Sequence, residues 1–126
     1  MCEHAFVSIK GGSYANLQRA IATGNPLLVR SAAAELPGRI LLPDALSICL
    51  VLLRAERESY EPAAVRLHAR MAIELPLREL DHAHLTLAAL GGLRAQDPQP
   101  AAQALAEYFD AAGLEALRQR VDAWLT

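Results

Sequence analysis

A chain of 126 residues with a hydrophobic fraction of 53% has the length of one domain and enough apolar surface to bury a core without metal or disulfide. Its 12 basic and 14 acidic residues give a net charge of −2, which leaves no global field to attract nucleic acid or an anionic membrane. Two cysteines, Cys2 and Cys49, are too few and too far apart for a disulfide framework. The start, Met1-Cys2-Glu3-His4-Ala5-Phe6-Val7, lacks a basic segment followed by an apolar run, so the expected setting is cytoplasmic.

Aromatics make up only 5% of the chain, and Ala, Leu, Arg and Glu are plentiful, which favours helices over strands. Residues 1–12 carry no clear period and end in Gly11-Gly12; they read as an N-terminal arm with a short extended piece at Ala5–Ile9. The rest, 13–126, reads as a single all-α domain. Ser13 is the expected N-cap of a first helix through Thr23, with Tyr14, Leu17 and Ile21 on one stripe and Gly24 as its left-handed terminator. Asn25-Pro26 then starts a second helix: an N-cap amide followed by proline at the first helical position. Pro37-Gly38 ends it.

The third helix, starting near Pro43-Asp44, is the one around which the others must be arranged. Between Ala45 and Leu53 only Ser47 is polar, so the helix is apolar on nearly every side and must be covered on more than one face. It is too short to span a bilayer, which takes about 20 apolar residues. Ser59 is the expected cap of a fourth helix, with Pro62 in its first turn and Ala64, Leu67, His68, Met71, Ala72 and Leu75 along one face. Pro76 marks the next break. A fifth helix is expected over Arg78–Leu90, closed by Gly91-Gly92. A sixth carries Ala102, Leu105 and Phe109 and ends at Gly113, and a seventh carries Leu117, Val121 and Trp124.

Pro26, Pro62 and Pro98 lie 36 residues apart twice over, each near a helix start, which is the spacing of a repeated helical hairpin. The architecture expected is therefore about seven short antiparallel helices as stacked hairpins, either α-solenoid-like, similar to tetratricopeptide or HEAT-type repeats, or a compact bundle. The runs Ala22–Pro37, Asp44–Leu53 and Tyr60–Arg66 also resemble small Ala/Leu/Arg-rich, all-helical actinobacterial proteins. That resemblance implies a helical fold and carries no activity or site residues with it.

Three site readings follow. Arg30, Arg54, Arg66 and Arg70 are candidates to line one groove and take an acidic partner. Counting outward from the expected turns puts Cys49, His68 and His84 at one level, and a thiolate with two imidazoles is a zinc-type donor set, Asp81 or Glu74 being the candidates for a fourth ligand. His82 and His84, at i and i+2, point to different sides of a helix and are no metal pair by themselves. The serines sit in no nucleophile elbow, and the glycine pairs lack the lysine and strand of a phosphate loop, so no enzyme and no cofactor are expected. The expected function is a protein-interaction or adaptor module whose partner is another protein or a second copy of itself. The alternatives are a helical bundle binding a small molecule or metal through the Cys49/His68/His84 layer, and a nucleic-acid accessory factor.

Overall fold

A computed structural model of the chain describes residues 2–75, 77 and 79–126, with 2–11 described through the backbone alone. It contains seven helices and, among the described residues, no strand: α1 (Cys2–Thr23), α2 (Pro26–Ala34), α3 (Leu42–Ala55), α4 (Arg57–Glu74), α5 (Leu80–Gly92), α6 (Gln99–Ala111) and α7 (Glu115–Leu125). None of them is long and apolar enough to cross a membrane.

α3 is interior, as its composition requires. Leu46, Leu50 and Leu53 join Tyr60, Leu67, Met71, Leu90, Leu105, Phe109 and Val121 in the main core. Val51, on another side of α3, packs with Leu17, Ala20, Val29 and Ala32 in a second core, and Ile48 touches both. Each fully buried Leu in such a core is worth roughly 1.5–3 kcal/mol relative to exposure. A helix apolar on one stripe would have needed only one of these cores.

The helices are not stacked as an open solenoid. α3 packs on α4, α4 on α5, α5 on α6, α6 on α7, and α7 returns onto α3, closing a ring of five. The α1/α2 hairpin covers the outside of α3. Closure of this kind makes a compact bundle. The three prolines also occupy different places, Pro26 at the first position of α2, Pro62 inside α4 and Pro98 as the N-cap of α6.

Local signals set several ends. Asn25 Oδ1 accepts from the Leu27 N–H at 3.0 Å, capping α2 as its sequence requires. Gly24 and Gly113 have φ of +71° and +74°, left-handed conformations that a side chain resists. Other ends differ from expectation. α1 begins at Cys2 rather than Ser13, so Ala5–Ile9 is helical rather than extended, and Gly11-Gly12 lies inside the helix. α4 begins at Arg57, two residues before Ser59, because the one-residue joint at Glu56 turns the chain directly from α3; Ser59 instead donates its hydroxyl to Glu56 Oε2 at 2.6 Å. Pro62 consequently falls in the second turn, where it leaves one helix bond unmade. Gly91 and Gly92 stay within α5, since a Cβ on Gly92 would lie only 2.8 Å from Ala101 Cβ and glycine lets α5 and α6 approach. The expected break at Pro76 and helix start at Arg78 lie outside the described residues.

Candidate functional site

α1 and α7 both lean on α3 and leave a cleft between them, with α3 as its floor. Each helix contributes a stripe at helical spacing: Gln18, Ile21 and Ala22 from α1; Ser47, Leu50, Val51 and Arg54 from α3; Arg120, Ala123 and Trp124 from α7. The cleft has a volume of about 480 Å³ and is open along one side. Apolar side chains form the middle and polar groups gather at two places.

One of them is built on Asp44, which is 1% exposed in the first turn of α3. A buried carboxylate needs partners, and it has three favourable neighbours. Gln18 donates from Nε2 to its Oδ1 at 2.9 Å, an Arg120 guanidinium nitrogen lies 2.8 Å from the same oxygen, and the helix N-terminus favours negative charge. Arg120 also donates to Ser47 Oγ at 2.9 Å, so a single guanidinium ties α7 to two successive turns of α3.

The other is Arg54 with Trp124. The guanidinium lies 4.5 Å from the centre of the indole ring and donates to the Trp124 carbonyl at 2.6 Å. The indole Nε1 is buried with no hydrogen-bond partner. Among the described residues, no carboxylate lines the cleft. Arg120 is balanced by Asp44 beneath it, whereas Arg54 presents its charge to the opening. The arrangement suits an anionic group beside an apolar one.

Of the four arginines expected to share a groove, Arg54 alone borders this cleft. Arg30 pairs with both carboxylate oxygens of Glu56 at the α3/α4 joint. Arg70 pairs with Glu74 at 2.8 Å, and Glu74 also takes Arg39 at 2.7 Å. Arg66 is exposed on α4. Ring closure separates what stacked hairpins would have aligned.

Cys49, His68 and His84 are likewise not gathered: among the described residues no group of three or more His, Cys, Asp or Glu side chains is placed to hold a metal. Cys49 lies in the ring core, where burial pushes its thiol up to about 11. His68 Nε2 is 2.8 Å from Thr86 Oγ1 and 3.1 Å from the Ala83 carbonyl. The Thr86 hydroxyl itself lies 3.0 Å from the His82 carbonyl, so the imidazole is held by helix groups of α5. His84 is exposed. Equal height along a hairpin fixed their level and said nothing of their side.

The polar cluster of Gln18, Asp44, Ser47 and Arg120 was missed by sequence reasoning. Half of its signal was present, since Asp44 and Ser47 stand at i and i+3 in a helix otherwise apolar as far as Leu53, and burial obliges both to find partners. The partners come from α1 and α7, which no local pattern links to α3. Comparison with protein families, with characterised proteins and with solved structures finds no match to this chain. What it does is therefore argued from the site.

Proposed function

We propose that this chain is a non-enzymatic protein-interaction module that takes an acidic, amphipathic helical segment of a partner protein into the cleft between α1 and α7. The observation that carries the reading is the pairing of an apolar floor, Leu50 and Val51, with the guanidinium of Arg54 at the edge, which among the described residues has no carboxylate partner. A helix laid in a groove needs an apolar stripe to bury and a few fixed polar groups to set its register. Arg54 is suited to a carboxylate because its fork keeps donors beyond the one given to the Trp124 carbonyl. The work is done by shape and charge, which assigns no reaction and no cofactor to the chain, and the setting proposed for it is the cytoplasm.

A small carboxylate-bearing molecule is the second reading, favoured by the volume of about 480 Å³, within the range of small-molecule pockets. Trp124, the single tryptophan of the chain, lines the cleft and reports on its occupancy. Its fluorescence is to be titrated with a helical peptide of alternating Glu and Leu turns, with the same peptide carrying Lys for Glu, and with small dicarboxylates. Saturable change with the acidic peptide alone, lost in Arg54→Glu, is the expected result. A response only to the dicarboxylates moves the assignment to the second reading, and no response to either defeats both.

A further inference from the structure

α4 carries two apolar stripes, and the ring uses only one of them. Tyr60, Ala64, Leu67 and Met71 are buried. Val65, Ala69, Ala72 and Ile73 form the second stripe and are exposed, Val65 by 59% and Ile73 by 83%. α5 repeats the pattern. Thr86, Ala89 and Leu90 face inward, while Leu80 (81% exposed), His84 and Leu87 (50% exposed) follow one another at i, i+4 and i+7 on the outside. Val65 and Leu87 border one groove between the two helices, of about 180 Å³, where the two outer stripes meet.

We infer that this α4/α5 face is where a second copy of the chain docks, two hairpins meeting across a two-fold axis. Three properties select a second copy over a different protein. The first is area: the side chains named leave on the order of 500 Å² of apolar surface open, near the upper end for the largest patch on a monomer. Pairing two such faces removes roughly 1,000 Å² from water, the threshold at which specific interfaces begin.

The second is shape. A two-fold interface must be complementary to itself, and this face holds both halves of the match: Val65, Ile73, Leu80 and Leu87 project, while Ala69, Ala72 and the groove beside Val65 give room. The third is charge. The two stripes carry no charged group besides the His84 imidazole, and Glu61 and Arg94, which also line the groove, pair with each other at 3.2 Å, so the surface offers no net charge to a partner of opposite sign. The cleft of α1, α3 and α7 uses none of these residues and stays open in the pair.

Sedimentation equilibrium or light scattering on the full chain over a concentration series tests this. The expected mass is twice the 13.6 kDa of one chain. Ile73→Glu and Leu80→Lys, each at an exposed position, are expected to weaken the pair by more than about thirtyfold with an unchanged helical circular dichroism spectrum. Leu27→Glu, at a 73% exposed position on α2, is expected to leave it intact. A single-chain mass at every concentration, which would leave the face to some other protein, overturns the inference. So does a dimer that survives both α4/α5 substitutions. The acidic-peptide response at Trp124 must persist in Ile73→Glu, so failure of one assignment is separable from failure of the other.

Discussion

The guanidinium of Arg120, in the last helix, lies 2.8 Å from the carboxylate of Asp44, which is buried in the first turn of α3. That contact closes the ring from α7 back to the central helix. It also fixes Arg120, which lines the polar side of the cleft with Asp44 beneath it, so the fold and the candidate site depend on the same pair.

Breaking the pair from one side leaves an uncompensated buried charge, whereas removing both partners does not. Arg120→Ala is expected to lower stability by about 3 kcal/mol, less if water reaches the carboxylate. Asp44→Leu with Arg120→Met is expected to lose less than the sum of the two single changes, a coupling that urea unfolding of the four proteins measures. Simple additivity would show that the pair does not act as a unit.

Acid should weaken the joint between α3 and α4. Glu56 is held down to about 2 by hydrogen bonding from Arg30, then from Ser59, against an ordinary value of 4.5. A depressed carboxylate contributes stability that is complete above pH 4.5 and is lost as pH falls toward 2. Glu74 and Glu115 are lowered by Arg70 and Arg118 and act with the same sign. Glu56→Gln should therefore flatten the decline of stability between pH 4.5 and 2, read from urea midpoints at constant ionic strength.

Cys49 should behave as a core hydrophobe. With its thiol pushed up to about 11 by burial, it stays protonated at pH 8 and out of reach. In a Cys2→Ser background, a disulfide reagent such as DTNB should find no reactive thiol in the native protein and one after unfolding in urea. Rapid native labelling would place Cys49 at the surface.

Two glycine-to-alanine changes within helices should have opposite signs. Alanine favours a helix over glycine by about 1 kcal/mol. At Gly12 nothing among the described residues lies within 4 Å of the added Cβ, so stability should rise by up to about that amount. At Gly92 the Cβ would meet Ala101 Cβ at 2.8 Å, and overpacking of about 1–3 kcal/mol outweighs the gain. Gly92→Ala should lower the melting temperature, and adding Ala101→Gly should restore part of it.

The amino-acid sequence by itself determined that α3 is interior, because a helix apolar on all sides has no stable place at the surface. It determined the start of α2 at Asn25-Pro26, the left-handed residue Gly24 and the end of α6 at Gly113, since helix caps and ends are settled within one turn of chain. Only the tertiary structure decided the rest. That α7 closes on α3 depends on which distant faces meet. So do the pairing of Asp44 with Arg120, the dispersal of Arg30, Arg54, Arg66 and Arg70, and the separation of Cys49, His68 and His84. Spacing along a helix tells which residues share a stripe; what each stripe faces is chosen by packing the whole chain.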